Sequence, residues 1–192
     1  FLTLSMLRRK MLKDSRRIQV VDLGAGSKRL DDSARFIRDI ARLSVKKSKY
    51  AEVLFRLIDI KNIQTTIELG TSLGVTTGYL AMANKNGKVI TMEGCPETLK
   101  IATENFNELG IKNIQKVAGN FDDHFSQVLN DNRGVGLVFI DGNHTKEATL
   151  RYFEQVIKLH SESVIVVFDD IHWSQGMEEA WYEIIDNDTV QV

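Results

Sequence analysis

The feature that most constrains the fold is an alternation of short β-rich runs and helical stretches that begins at Ile63. Strands separated by helices connect by right-handed crossovers, which produce a mostly parallel sheet covered on both faces. Two of the runs, VGLVFI and SVIVVF, are almost continuously apolar, as expected of central strands buried on both sides. The predicted strands are residues 66–69, 88–92, 114–118, 136–140 and 164–168. The pattern predicts an α/β fold with a Rossmann-like, doubly wound sheet.

Helices are predicted where apolar residues recur at spacings of three and four. Five follow the strands, at residues 76–83, 97–109, 121–129, 146–159 and 176–185, and two more precede them, at residues 31–43 and 50–60. The chain has 192 residues, of which 43% are hydrophobic, enough for one buried core with little room for a second. We therefore expect an N-terminal helical extension over residues 1–60 and one doubly wound domain over residues 61–192.

Charge and composition exclude several classes of protein. Lys and Arg total 25 against 26 Asp and Glu, so no overall basic field would draw the chain to a nucleic acid. The basic segment LRRKMLKDSRR is interpreted as the solvated face of a helix. Cys95 is the single cysteine, which excludes an internal disulfide. No apolar run approaches the roughly 20 residues that span a bilayer. We expect a cytoplasmic protein without nucleic acid or membrane partners, and leave open whether it forms a homodimer.

Two glycine-containing segments compete as the nucleotide site, TTIELGTSLG and VVDLGAGS. A nucleotide-binding first strand is followed by a helix and then by a second parallel strand, whose end supplies an acid to the ribose. The first segment meets this condition, because the next strand, in KVITMEG, ends at Glu93. The second is followed by two helices. For Asp22, Gly24 and Gly26 we therefore favour a plain turn after an edge strand over a ligand site.

Glycines at the first segment allow a sharp bend and a close approach of ligand, and the following helix directs free N–H groups at it. The spacing differs from the G-x-G-x-x-G of dehydrogenases. It resembles the E/D-x-G-x-x-x-G motif of class I S-adenosylmethionine (SAM)-dependent methyltransferases. The resemblance implies the strand order 3-2-1-4-5-7-6 and assigns cofactor contacts to Glu68, Gly70, Thr71, Ser72 and Gly74.

The same resemblance extends to later strand ends. It implies that Glu93, with Gly94 and Cys95 beside it, binds the ribose hydroxyls. The segment AGNFDD would surround the adenine, with Phe121 on the purine face and Asn120 or Asp122 at the exocyclic amine. Cys95 is interpreted as a small residue of the pocket wall rather than a nucleophile.

A narrower resemblance lies in FIDGNHTKEATLRYFEQVI and VIVVFDDIHW, which are similar to the O-methyltransferases related to the catechol and caffeoyl-CoA enzymes. It implies a divalent cation, Mg²⁺ or another hard ion, on Asp141, Asp169 and Asp170, although Asp170 stands where those enzymes usually have Asn. Asp141 would also contact the cofactor, with Gly142 as a bend beneath it. The alternative is that the last two acids bind backbone N–H groups. The Asp-Gly-x-His-x-x-Glu signature is closer still to a bacterial methyltransferase group of mostly unassigned substrates.

The catechol-type enzymes place a lysine three residues after the first acid, where this chain has His144. A histidine can accept a proton at neutral pH, so we expect His144 to be the general base, with Asp141 assisting. The alternative is that His144 only caps the helix that follows. Trp173 is expected in the acceptor pocket and Trp181 in the core, while His172 is interpreted as a loop residue.

The function implied is transfer of a methyl group from SAM to a hydroxyl of a small molecule. Two alternatives stay open, a SAM-binding protein without turnover and, less favoured by the glycine spacing, an NAD-dependent oxidoreductase. We also expect DTVQV to lie in a sixth strand with the seventh absent, and the chain, which starts with Phe1, to begin inside a longer one.

Overall fold

The computed structural model describes residues 2–21, 34–159 and 163–192. Seven strands are present in this part of the chain, β1 (Arg17–Gln19), β2 (Ala34–Phe36), β3 (Thr65–Leu69), β4 (Lys88–Glu93), β5 (Ile114–Ala118), β6 (Leu137–Ile140) and β7 (Ile165–Phe168). The helices are α1 (Leu2–Met11), α2 (Ile37–Leu43), α3 (Ser48–Lys61), α4 (Val75–Ala83), α5 (Pro96–Glu108), α6 (Phe121–Asp131), α7 (Lys146–Leu159) and α8 (Gln175–Ile185).

The main sheet has the order β5-β4-β3-β6-β7, and each described pairing in it is parallel. These are the five strands predicted from the alternation, so the predicted order 3-2-1-4-5 is confirmed. Strand β3 lies in the centre, and the chain passes from it to β4 on one side and later to β6 on the other. Ligands of such sheets bind outside the carboxyl ends of the strands, at the point where the order reverses.

Helices cover both faces of this sheet, as predicted. Leu80 of α4 and Phe139 of β6 belong to a buried cluster on one face, which also contains residues of α3. On the other face, Ile67 packs in a cluster with Phe125 of α6 and Tyr152 of α7. All five side chains are almost completely removed from solvent. Because side chains alternate along a strand, neighbouring residues of β3 serve opposite layers.

Several helices begin at recognisable caps just beyond the carboxyl edge of the sheet. Pro96 is the first residue of α5, a position that needs no backbone N–H. The Asn120 side chain accepts a hydrogen bond from Asp122 N at the start of α6, and Ser174 Oγ accepts one from Met177 N at the start of α8. These caps fix where each loop of the edge ends.

The N-terminal region differs in part from the prediction. Residues 34–36 form β2, which pairs antiparallel with β1 so that Ala34 lies opposite Gln19 and Phe36 opposite Arg17. The expected helix is therefore shorter and begins at Ile37, because pairing with a strand distant in sequence overrides a local helical pattern. The turn expected at residues 22–26, and residues 31–33, lie outside the described part of the chain. The division at residue 60 stays a prediction.

The C-terminal residues correct a second prediction. Residues 186–192 contain turns and irregular chain, with no strand at DTVQV. The Asn187 side chain accepts hydrogen bonds from Thr189 N at 3.0 Å and Thr189 Oγ1 at 2.6 Å, and Val190 N donates to Asn187 O. Such local bonds offer the backbone an alternative to a sheet ladder, and a turn results.

None of the described helices is long and apolar enough to cross a membrane.

Candidate functional site

A cleft of about 560 Å³ opens at the carboxyl edge of the main sheet, between the loops that follow β3 to β7 and the N-terminal segment from Ile40 to Tyr50. We refer to it as the cleft. The residues predicted from sequence that line its wall are Gly70, Ser72, Glu93, Gly94, Cys95, Asn120, Phe121, Asp141, Gly142, His144, Asp169, Asp170 and Trp173. Loops distant in the chain thus bring most of the predicted site residues to one place.

Gly70 shapes the centre of this edge. Its φ of +105° lies in a region that favours glycine, and a Cβ added there would be 2.1 Å from the carbonyl oxygen of Asp141. Asp141 N in turn donates a hydrogen bond of 2.9 Å to Leu69 O. The close approach of the loops after β3 and β6 therefore depends on the missing side chain.

Glu93 is held by two backbone N–H groups. Its Oε2 accepts a hydrogen bond of 2.7 Å from Ser72 N, and its Oε1 accepts one of 2.9 Å from Cys95 N. Ser72, which donates the first of these bonds, has a φ of 49°, an uncommon conformation for a residue other than glycine. Burial raises the pKa of the Glu93 carboxyl, and these hydrogen bonds oppose the rise. A carboxylate has about four acceptor sites, so further donors can be accommodated.

Three of the predicted cofactor residues, Glu68, Thr71 and Gly74, lie outside the wall of the cleft, and their direct contact with a cofactor stays a prediction. Glu68 is completely buried, and its Oε2 accepts hydrogen bonds from Thr77 Oγ1 at 2.5 Å and Thr91 Oγ1 at 2.6 Å. Burial raises the pKa of Glu68 to about 8. The Thr71 hydroxyl lies 2.6 Å from that of Thr91, and Gly74 is the N-cap of α4. Because β3 alternates its side chains, Glu68 faces the layer of α4 instead of the open edge.

The loop after β5 gives the cleft an aromatic wall. A Cβ added to Gly142 would lie 2.7 Å from the Phe121 ring, so the absence of a side chain lets this ring lie over the loop after β6. Of the two residues predicted for an exocyclic amine, Asn120 lines the cleft. The other, Asp122, accepts hydrogen bonds from the Arg151 guanidinium at 2.8 to 3.1 Å. Of the two, Asn120 is the one on the cleft wall, and the amine contact stays a prediction.

Cys95 lies in the loop after β4, against strand β1. Its side chain is 2% exposed, and Sγ donates a weak hydrogen bond to Gln19 O at 3.4 Å. A buried thiol with a structural partner fits the interpretation of a small residue of the wall.

The acids after β6 and β7 meet a lysine that the sequence analysis did not identify. Lys46 Nζ lies 3.3 Å from Asp141 Oδ2 and donates a hydrogen bond to Asp169 Oδ2. Lys46 comes from the loop between α2 and α3, 123 residues before Asp169. No local pattern connects them. The only sequence signal is a basic residue between two amphipathic helices that precede the sheet.

The arrangement of these acids does not fit a divalent cation. The described residues contain no group of three or more His, Cys, Asp and Glu side chains that could hold a metal ion. The ammonium of Lys46 lies between Asp141 and Asp169, where the resemblance implied the ion. Burial raises the pKa of Asp141, and the charge of Lys46 opposes that rise. The sequence left open whether Asp169 and Asp170 bind backbone N–H groups, and in the structure the Asp169 carboxylate pairs with Lys46.

His144 lies on the cleft wall between two carboxylates. Its Nε2 is 3.9 Å from Asp141 Oδ1 and 3.8 Å from Asp170 Oδ2, and its ring centroid is 6.2 Å from that of Trp173. The alternative was that His144 caps α7. The side chain that caps this helix is that of Thr145, whose Oγ1 accepts a hydrogen bond from the backbone N–H of Ala148. His144 is therefore left facing the cleft.

The remaining aromatic and histidine predictions concern the loop after β7. Trp173 lines the cleft, as expected, while Trp181 packs against Phe168 with a centroid distance of 6.1 Å. His172 is exposed, and its Nδ1 lies 3.0 Å from Glu178 Oε1. This partner is consistent with the interpretation of a loop residue.

A family model described as a methyltransferase domain matches residues 67–171, more than half of the chain. A catechol O-methyltransferase from Niastella koreensis is 30% identical over 132 residues, which cover 67% of this chain and 58% of that protein. The chain therefore spans less than two thirds of that relative's length.

Solved structures share the fold at low sequence identity. An O-methyltransferase from Bacillus cereus in complex with S-adenosylhomocysteine (SAH) is 21% identical with a TM-score of 0.66, over 76% of this chain and 73% of that one. An O-methyltransferase from Streptomyces achromogenes in complex with SAM is 20% identical with a TM-score of 0.63, over 75% of this chain and 71% of that one.

Proposed function

Since the chain belongs to the methyltransferase domain family, we propose that it binds SAM in the cleft and transfers the methyl group to a hydroxyl of a small molecule. The observation that carries the proposal is the convergence of Gly70, Ser72 and Glu93 on the wall of one cleft, at the point where the strand order reverses. The O-methyltransferases among its relatives and structural neighbours support the choice of oxygen as the acceptor atom.

The cofactor end of the cleft fits a nucleoside. Glu93 has acceptor sites beyond those used by Ser72 N and Cys95 N, and two vicinal ribose hydroxyls are suitable donors. Gly70 leaves room beside the loop, and the Phe121 ring offers a flat apolar face. When bound, SAM supplies a methyl group on a positively charged sulfur, which makes its carbon a strong electrophile.

The residues of the chain align the acceptor with SAM, exclude water from both and remove the proton of the acceptor hydroxyl. In the proposed transfer the acceptor oxygen would bond to the methyl carbon as the carbon–sulfur bond breaks and SAH leaves, and His144 Nε2 would accept the hydroxyl proton. Asp141 and Asp170, each within 4 Å of that nitrogen, stabilise the charged imidazole. Alignment of two reactants supplies about 7 to 11 kcal/mol in well-oriented systems, so position matters more than the base alone.

Calorimetric titration of SAM tests this proposal. We expect Glu93→Ala to weaken SAM binding about a hundredfold, because two charge-assisted hydrogen bonds to the ribose are lost. Glu154→Ala is the matched control, since Glu154 is an exposed acid on α7 away from the cleft, and it should bind SAM like the original chain. Normal SAM affinity in Glu93→Ala would contradict the assignment, and saturation by NAD without SAM binding would favour the oxidoreductase alternative.

SAH formation in the presence of hydroxyl acceptors separates turnover from binding. Catechol is a suitable first acceptor, given the Niastella relative. Release of SAH that depends on the acceptor supports methyl transfer. SAM binding without SAH formation across a broad set of hydroxyl acceptors would favour the alternative of a cofactor-binding protein.

A further inference from the structure

Lys46 is a nearly buried cation at the acceptor end of the cleft, the part of the wall formed by Asp141, His144, Asp169, Asp170 and Trp173. Its side chain is 10% exposed, although lysine is rarely buried unless it is paired. Two carboxylates from different strand ends meet its ammonium, that of Asp141 at 3.3 Å and that of Asp169 through a hydrogen bond. The ammonium also lies 5.3 Å from the centroid of the Phe139 ring. The side chain therefore occupies a built site and does not project into solvent.

The backbone that carries Lys46 is anchored on both sides. The preceding residue, Val45, is 8% exposed and its N–H bonds to Ile40 O at the end of α2. After it, α3 begins at Ser48, and Ala51 on its first turns is completely buried. An anchored loop between two packed helices holds the lysine over the ends of β6 and β7.

The charges explain why a cation is required there. Asp141 and Asp169 lie close enough to share one ammonium, and two partly buried carboxylates without a counterion would be costly. A divalent ion between the two carboxylates would be repelled by the positive charge of Lys46 at short range. It would also need the carboxylate oxygens that Lys46 already engages.

We propose that the Lys46 ammonium takes the place of a divalent cation between Asp141 and Asp169. The inference rests on the proposed function for its consequence, which is methyl transfer that needs no added metal. Lys46 is a positioning residue. It binds Oδ2 of Asp141, whose Oδ1 lies 3.9 Å from His144 Nε2, and so fixes the carboxylate that supports the expected base.

Manganese binding tests the proposal without reference to activity. The electron paramagnetic resonance signal of free Mn²⁺ would be followed as the purified chain is added. The comparison includes Lys46→Met, which keeps length and removes charge, and Lys49→Met as the matched control, since Lys49 is exposed and lies outside the cleft wall. We expect Lys46→Met to bind one Mn²⁺ roughly tenfold or more tightly than the original chain, because the repulsion between the ammonium and the ion is removed. The original chain and Lys49→Met should leave the ion free.

Two results would overturn the proposal. One is a tightly bound Mn²⁺ in the original chain, and the other is a folded Lys46→Met variant that binds Mn²⁺ no better than the original. If Lys46→Met does not fold, Lys46→Arg keeps the charge. It should leave Mn²⁺ free and retain part of the turnover, whereas strong Mn²⁺ binding by Lys46→Arg counts against the proposal.

A turnover assay with catechol and SAM, read as SAH formation, tests the consequence. We expect the chelator EDTA to change turnover of the original chain less than about twofold, and Lys46→Met to lose roughly tenfold or more in kcat. Loss of the original chain's turnover with EDTA would contradict the inference. SAM titration of the same samples separates the two proposals, because absent SAM binding overturns the proposed function while the Mn²⁺ result still decides the role of Lys46.

Discussion

The two ends of the cleft are built differently. At the cofactor end, backbone N–H groups of Ser72 and Cys95 hold Glu93, and all three residues lie within the β3–α4–β4 unit or directly after it. At the acceptor end, side chains hold each other, and Lys46 reaches Asp169 across 123 residues of sequence. A backbone-built site depends on local pattern. A site built from charged side chains depends on the tertiary arrangement, so a single substitution at Lys46 is expected to alter its charge and its ion preference.

The largest effect is expected where the two ends touch, at Gly70. Gly70→Ala places a Cβ 2.1 Å from the carbonyl oxygen of Asp141 at a φ of +105°, so the loops after β3 and β6 must separate. We expect a loss of about 3 to 5 kcal/mol in the free energy of unfolding, together with loss of SAM binding. Urea denaturation measures the first and calorimetry the second.

Gly134→Ala is the control for this substitution, since no atom lies within 4 Å of the added Cβ. Its stability should stay within about 0.5 kcal/mol of the original. A Gly70→Ala chain as stable as Gly134→Ala would show that the two ends are not in the close contact described.

A substitution of Glu68 tests whether this buried residue belongs to the cofactor end of the cleft. The pKa of Glu68 is raised from 4.5 to about 8 by burial, so its contribution to stability is complete below about pH 4.5 and is lost as the pH rises through 8. Glu68→Gln removes this titration. The variant should be more stable than the original chain at pH 9, by on the order of 3 kcal/mol, and similar to it at pH 5.

Thermal melts from pH 5 to 9 measure the effect, with the exposed Glu154→Gln as the control that keeps the original pH dependence. SAM affinity should hardly change in Glu68→Gln, because this residue lies outside the cleft wall. A marked loss of affinity would instead return Glu68 to the cofactor end, as the motif first indicated.

His144→Ala is expected to give the smallest free-energy effect. It should also distinguish SAM binding at the cofactor end from proton removal at the acceptor end. It removes the expected base without touching Glu93, so SAM affinity should be retained while kcat falls about a hundredfold, equal to about 2.7 kcal/mol. Calorimetry and SAH formation measure the two quantities. Unchanged kcat would assign proton removal to another group, and lost SAM binding would show that the ends are coupled.

The fold could be predicted well because its signals are local. Alternating apolar runs and the bend at Gly70 depend on neighbouring residues, and the five predicted strands form the sheet in the expected order. Glu93 could be located for the same reason, since it ends the strand that follows the glycine loop. The wall residues after β5 also follow directly from strand ends.

The remaining features depend on contacts that the apolar pattern of the sequence does not show. Residues 34–36 have a helical pattern, but pairing with β1 makes them a strand. Glu68 matches a motif, and hydrogen bonds from Thr77 and Thr91 hold its side chain in the layer of α4. Lys46 has no motif at all, because its role comes from two acids that only the packed fold brings to it. Local bonds at Asn187 replace the expected C-terminal strand.

A crystal structure of the chain with SAH and Mn²⁺ tests the central claim most directly. We expect the ribose hydroxyls of SAH within hydrogen-bond distance of the Glu93 carboxylate, and Lys46 between Asp141 and Asp169 with no anomalous manganese peak there. A nucleoside bound away from Glu93 would contradict the proposed cofactor site, and manganese on those two acids would contradict the role of Lys46.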